Sequence, residues 1–298
     1  MTLLTAPGYA GLVAGFPQLH VVCFRRKGVL EMSRLLAWLL GRRFDVVYDL
    51  QGSLRSRVMT LLTQAEKRAG PEPGTAYTHA PLHGSPAVHA FDRFNAVLVA
   101  GGVGEAEPVF RLPWLQADQT AVTAWLKEHG LQGKRLALLH AGGSPQWISK
   151  RWAEASFLEL ATALVERGMG VVWVGAAAER ELNRRLSAVT GVDATGRFDF
   201  CELAALAGHA QFAVTNDSGP MHVMSAGGLP VYAFFGPTDW RRSHALGQRQ
   251  HVLTNPVPCS PCYLKSCPPE RQHECLHGIS PAMVMARLEA EGLLSCET

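Results

Sequence analysis

Apolar and polar positions along this chain fall into two kinds of block, short continuous apolar runs and longer stretches with apolar residues at helical spacing. In the first half, TLLTAP (2–7) and LHVVCF (19–24) predict short strands around a helical turn, GYAGLVAGF. VLEMSRLLAWLLGRR (29–43) predicts a helix whose basic end suits the macrodipole. FDVVYDLQG (44–52) predicts a buried parallel strand, SLRSRVMTLLTQA a helix, and KRAG the edge of the next strand. A further helix is expected at about 86–101.

A second series begins after RLPWLQADQTAVTAWLKEHGL. Its predicted strands are RLALLHAGGS (135–144), MGVVWVGAAAE (169–179), QFAVTNDSG and LPVYAFFGPTD. Between them AEASFLELATALVERG (153–168), FDFCELAALAGHA and PMHVMSAGG predict helices. Strands that alternate with helices in this way make βαβ units and parallel sheets. Two series joined near 113–130 imply an α/β protein of two doubly wound domains, residues 1–113 and 114–298. Ligands of such sheets sit at the carboxyl ends of the strands, so the strand exits are where function is read.

Composition narrows the class. A chain of 298 residues with 47% hydrophobic and 18% charged residues can bury a sizeable core. The net charge of +3 is too weak to argue for a nucleic-acid partner. Residues 1–113 carry 12 Lys/Arg against 8 Asp/Glu, whereas the rest carry 16 against 17, which suits an anionic partner for the first half. The sequence has no run as long as a membrane span and no signal-peptide pattern, and its seven cysteines do not suggest a secreted scaffold. A cytoplasmic location is expected, at a membrane surface if anywhere near lipid.

Three exits of the second half carry chemistry. HAGGSPQWISKRW offers Ser144, backbone N–H groups that can cradle a phosphate, and the point charge of Lys150. VGAAAERE places Glu179 where a carboxylate can accept hydrogen bonds from ribose hydroxyls. TNDSGPMH puts Asp217, Ser218 and Gly219 before a helix, Pro220 at its first position, and His222 in its first turn. A helix start of this kind favours an anion. Each feature alone has a plainer reading: a glycine-rich loop, an N-cap, a solvated lysine, a structural histidine. Three on consecutive exits of one sheet favour a ligand.

At these residues the chain resembles the ADP-heptose:lipopolysaccharide heptosyltransferase family. The resemblance rests on GGS…KRW, G…AE, NDSGPMH and GLPVYAFFGPTD, and it covers nearly the whole chain. FDVVYDLQGSLRS matches the first-domain signature, HAFDRF an acceptor element, and PCSPCYLKSCPPERQHECLHGISPAMV the tail of the heptosyltransferase II branch. It implies a GT-B fold, two Rossmann-like domains facing a cleft, and an inverting glycosyltransferase. The activity implied is transfer of heptose from ADP-heptose to a lipopolysaccharide core acceptor, an anionic lipid A-core glycolipid, at the inner face of the inner membrane. Carried over, Ser144 and Lys150 contact the donor pyrophosphate, and Glu179 the adenosine ribose. Asp217, Ser218, Gly219 and His222 surround the diphosphate and heptose. Arg55, His89 and Arg93 face the acceptor; His89 and Arg93 are four apart, so a helix would set them on one face. Lysine and helix terminus can stabilise the leaving diphosphate, so catalysis requires no metal or other cofactor.

The chain departs from the family at its start. The family opens with a strand, a loop carrying Gly-Asp, and a helix, and that aspartate is the expected general base. No Gly-Asp dipeptide occurs here, and MTLLTAPGYAGLVAGFPQLHVV matches the family's second strand unit. The first βα unit, and any catalytic base on it, are therefore expected to be missing, with Met1 internal to a longer natural chain. Loss of that central strand would leave its neighbours without partners or closed up in a new register. A degenerate binder of nucleotide-sugar is the alternative; a nucleotide-sugar epimerase fits less well, because it would not need QGSLRS and HAFDR.

Cys259, Cys262, Cys267 and Cys275 give C-x2-C-x4-C-x7-C. Four thiols at short spacing suit a structural zinc or iron knuckle; reduced cysteines that merely pack a loop fit the same spacing. Cys23, Cys201 and Cys296 are scattered and receive no role.

Overall fold

The computed structural model describes residues 1–13, 15–25, 28–82 and 89–295. The chain divides into two units, Met1–Val109 with Arg241–Ser243, and Phe110–Trp240 with His244–Thr298.

The first unit runs β1 (Thr2–Thr5), β2 (His20–Cys23), α1 (Val29–Leu40), β3 (Val46–Tyr48), α2 (Leu54–Leu62), β4 (Lys67–Ala69) and α3 (Ala90–Ala100). β1 pairs with β2 and β3 with β4, both parallel, with Thr2 opposite His20 and Val46 opposite Lys67. Among the described residues no ladder joins the two pairs. Three expectations change here. β3 is three residues long and only half-buried, not a buried strand, because it has a partner on one edge alone. α1 stops at Gly41, before Arg42 and Arg43, so its last turn holds no basic residue. α3 begins at Ala90, and residues 86–88 of the expected helix lie outside the described residues.

The second unit runs α4 (Gln116–Glu128), β5 (Leu136–His140), α5 (Glu154–Glu166), β6 (Gly170–Trp173), α6 (Arg180–Ser187), β7 (Val192–Asp193), α7 (Phe200–Ala207), β8 (Phe212–Asn216), α8 (Gly219–Ala226), β9 (Val231–Phe234), β10 (Val252–Leu253), α9 (Glu274–His277) and α10 (Pro281–Ala290). Its six strands form one parallel sheet in the order β10-β9-β8-β5-β6-β7. The chain enters at β5, steps outward through β6 and β7, then returns to the other side of β5 at β8. The order reverses between β5 and β8, and in doubly wound sheets a crevice opens at such a point.

Alternation along the strands builds two cores. Ala137 and Leu139 of β5, Phe212 and Val214 of β8, and Tyr232 and Phe234 of β9 share one cluster with Phe157, Leu160 and Leu164 of α5 and Leu288 of α10. Their neighbours Leu138, Ala213, Val231 and Ala233 share the other with Trp125 of α4, Leu206 of α7 and Met224 of α8. Burying one Leu or Phe contributes roughly 1.5–3 kcal/mol. Strands covered on both faces read as the continuous apolar runs seen in the sequence.

Candidate functional site

The exits of β5, β6 and β8 meet through three buried polar side chains. The first is His140, which ends β5 and is 1% exposed. Its Nε2 lies 3.1 Å from Glu179 Oε1, and its Nδ1 lies 3.1 Å from both Thr215 Oγ1 and Ser218 Oγ. The Glu179 carboxylate can only accept, so Nε2 carries the hydrogen of that bond. His140 therefore ties the carboxylate after β6 to the serine after β8.

The second is Asn216, fully buried at the end of β8. Its Oδ1 accepts the Trp152 N–H at 2.9 Å, and its Nδ2 donates to the carbonyls of Ala141 at 2.9 Å and Gly142 at 2.8 Å. These bonds fasten both ends of the 141–152 loop to β8. The third is Asp217, whose Oδ2 receives Lys150 Nζ at 2.7 Å and the Thr238 hydroxyl at 2.8 Å. The aspartate side chain is 8% exposed and the lysine side chain 23%, so the acid is the more deeply buried partner. Lys150 also lies 5.2 Å from the centre of the Trp147 ring.

Glu179 closes a 3-10 turn, Ala177–Glu179, and its Oε2 accepts the Ala176 N–H at 2.7 Å. Burial alone would raise this carboxyl. The hydrogen bond and charge of His140 outweigh it, aided by the backbone N–H groups of Ala176 and Gly143, and hold the group below its ordinary value. The carboxylate packs so closely on the β5 exit that a methyl group at Gly142 would overlap Oε1. A glycine is required there by contact.

Ser218 precedes α8 with extended backbone and makes no side-chain cap. Its hydroxyl is spent on Asn216 O, at 3.1 Å, and on His140. The helix starts at Gly219, so Pro220 occupies its second position, one later than expected. Gly219 and His222 are exposed. Ser144 is exposed on the β5 exit loop, where it accepts the Trp147 N–H through its carbonyl at 3.0 Å. Arg151 donates to Gly143 O at 2.8 Å, and its Nε is buried without a hydrogen-bond partner, a donor left over for a ligand or water.

The residues expected to face an acceptor belong to the first unit. Arg55 is exposed on α2 and Arg93 on α3. His89 is not on a helix face with Arg93. It is the N-cap of α3, in extended backbone, and its Nδ1 accepts the Phe91 N–H at 3.2 Å. A ring nitrogen takes up the open N–H that a Ser or Asp would otherwise cap. The FDVVYDLQG signature turns on Asp49, which accepts the N–H groups of Gln51 and Gly52 at 3.0 Å and the Tyr77 hydroxyl at 2.6 Å.

Cys259, Cys262, Cys267 and Cys275 line one cavity of about 10 Å³, with His273 and Gly236 beside them. That volume is close to the smallest that admits one water-sized sphere. Burial, and then the neighbouring thiols, push the Cys275 thiol up to about 11. Thiol donors suit a thiophilic ion, although among the described residues no three His, Cys, Asp or Glu side chains are gathered as a ligand set. Burial pushes His273 below its ordinary value, and its Nε2 donates to Ser149 O at 2.6 Å.

His140, Asn216 and Thr238 are site residues that the sequence reading missed. The signal for His140 was a polar residue ending the apolar run RLALLH. Asn216 stood in plain view in TNDSG, but nothing in the sequence shows that its amide reaches back to residues 141, 142 and 152.

A parallel sheet of this order, with acid, lysine and helix start collected at its switch point, defines a doubly wound α/β protein, and its structural neighbours are of the GT-B type. Solved structures agree: the glycosyltransferase family 9 protein of Veillonella parvula superposes with a TM-score of 0.82 at 22% identity, over 98% of this chain and 87% of that one. E. coli heptosyltransferase WaaC with ADP superposes at 0.69 with 19% identity, over 96% of this chain and 88% of that one. At such identities the likeness shows the fold. In sequence, lipopolysaccharide heptosyltransferase 1 of Pseudomonas aeruginosa is 30% identical over 278 residues, covering 86% of this chain and 75% of that protein. The profile described as glycosyltransferase family 9 (heptosyltransferase) matches residues 32–273. The chain belongs to glycosyltransferase family 9, the heptosyltransferases. Among the described residues no helix is long and apolar enough to cross a membrane.

Proposed function

We propose that this chain transfers heptose from ADP-heptose to a lipopolysaccharide core acceptor with inversion at the anomeric carbon. The observation that carries this reading is the Lys150–Asp217 pair at 2.7 Å, set beside the start of α8 and across His140 from Glu179. The acceptor hydroxyl oxygen attacks the anomeric carbon from the face opposite the diphosphate and gives up its proton to solvent, the bond from that carbon to the phosphate oxygen breaks, and ADP leaves. Negative charge grows on the departing phosphate oxygen. Lys150, held by Asp217, and the N–H groups of the first turn of α8 stabilise that charge. Glu179, kept ionised by His140, accepts hydrogen bonds from ribose hydroxyls. Ser144, Ser218, Gly219 and His222 surround the diphosphate and the sugar. WaaC, whose structure holds ADP, and the lipopolysaccharide heptosyltransferase of P. aeruginosa support the choice of donor and acceptor.

Arg55, His89 and Arg93 of the basic first unit receive the phosphorylated lipid A-core glycolipid, at the cytoplasmic face of the inner membrane. A structural zinc or iron ion, outside the chemistry, would be held by the thiolates of Cys259, Cys262, Cys267 and Cys275, which line one cavity.

A second reading is binding of the nucleotide-sugar without transfer. It is favoured by one observation: the donor-side groups Lys150, Asp217, His140 and Glu179 all belong to the second unit. Calorimetry with ADP and ADP-heptose, run beside a transfer assay, separates the two. Tight binding with turnover supports transfer, and tight binding without turnover supports the second reading. Lys150→Ala is expected to weaken ADP binding by about 10–100-fold, the worth of a charge-assisted phosphate contact. Unchanged affinity would remove the central role of Lys150.

A further inference from the structure

Backbone strain is concentrated in the cysteine-rich segment. Among the described residues four non-glycine residues have φ in the left-handed region, and three of them, Tyr263 (54°), Gln272 (49°) and His273 (54°), belong to it. Such conformations persist where surrounding contacts over-determine them, and they cluster at functional sites. The contacts of this segment show what it holds.

It grips two strand exits, each at or next to the residue that precedes a partner of Asp217. On the first exit every polar atom of Ser149 is taken by the segment: its N–H donates to Lys265 O at 3.1 Å, its hydroxyl to Leu264 O at 2.5 Å, and its carbonyl accepts His273 Nε2 at 2.6 Å. Ser149 is 3% exposed, and the next residue is Lys150. On the second exit Gly236 O accepts the Ser260 hydroxyl at 2.5 Å, and Pro237 O accepts the Tyr263 N–H at 2.7 Å. The next residue is Thr238. Lys150 and Thr238 then converge on one oxygen, Asp217 Oδ2. Contact is tight enough that a methyl group at Gly236 would come within 2.7 Å of Cys275 Sγ.

We propose that the cysteine-rich segment is a clamp that positions Lys150 and Thr238 on Asp217, and that His273 is a positioning residue acting through Ser149 on Lys150. This rests on the reading that Lys150 contacts the donor diphosphate. A bond at Ser149 O restrains the peptide plane joining Ser149 to Lys150, so its loss frees the direction of the lysine side chain. Ligand groups held by such a supporting shell lose affinity when the support is removed.

The test is a double-mutant cycle read by ADP calorimetry on the full chain. His273→Ala should weaken ADP binding by about tenfold, the loss that follows from imperfect placement of a charged contact. His273→Gln, which keeps an N–H donor at similar reach, should restore most of the affinity. In a Lys150→Ala background, His273→Ala should have no further effect. A shift in melting temperature alone would follow from any packing role and does not count. If His273→Ala does not fold, Ser149→Ala, which removes only the hydroxyl bond to Leu264, takes its place in the cycle with the same criteria. Wild-type affinity in the single variant, or additive losses in the double variant, overturns the clamp and leaves the role of Lys150 standing. Wild-type affinity in Lys150→Ala, or no ADP binding by the wild type, overturns both.

Discussion

Glu179 illustrates how one residue gains a role from its surroundings. A carboxylate at a strand exit, after a small-residue run, was legible in VGAAAERE. Its ionisation was not, because that depends on His140, 39 residues away in sequence. The pH dependence follows with a definite sign. A carboxyl held below its ordinary 4.5 in the folded protein adds stability that is complete above that value and is lost as pH falls through the folded value. Urea unfolding of wild type and Glu179→Gln should therefore differ at pH 7 and converge as acidification passes below 4.5 and through the lowered folded value. A difference that does not change with pH would remove the His140–Glu179 account. Lys150 and Asp217 were likewise legible as charged residues on exits, but their pairing was not, since 67 positions separate them in the chain.

At the scale of elements, the exits of β5, β6 and β8 were legible because covered strands leave continuous apolar runs that glycine and polar residues close. Helix starts were less so. His89 looked like a residue on a helix face and is a cap, a difference of one position that capping chemistry decides. The cysteine-rich segment was visible as a spacing, but its grip on Ser149 and on residues 236 and 237 was not. Metal analysis of protein purified without chelator should find zinc or iron near one equivalent per chain, and Cys262→Ser should lower both that ratio and the melting temperature. A ratio near zero in the wild type would leave the four thiols as packing groups.

For the whole molecule, the two units differ in how their strands are covered. Every position of β5, β6, β8 and β9 is buried, whereas β1, β2 and β3 have no buried position. Local opening costs less where few apolar contacts cover the backbone. Amide exchange should accordingly be faster by at least about tenfold at 46–48 than at 136–140. Equal protection would mean that the first unit is held by something other than the two separate strand pairs. The alternation of strands and helices announced both units, yet the strand order that makes β5 and β8 neighbours appears in no local pattern.

What the sequence determined by itself was local: the strand and helix blocks, the parallel character of the sheets, and which exits carry acids, lysine and glycine. These follow from periodicity and from the conformational limits of single residues, which act within a few positions. Only the tertiary structure decided which of those groups meet, that His140 and Asn216 bind three exits together, and that the four thiols share one cavity. Such contacts depend on how distant segments stack in the sheet, and no short-range preference encodes that.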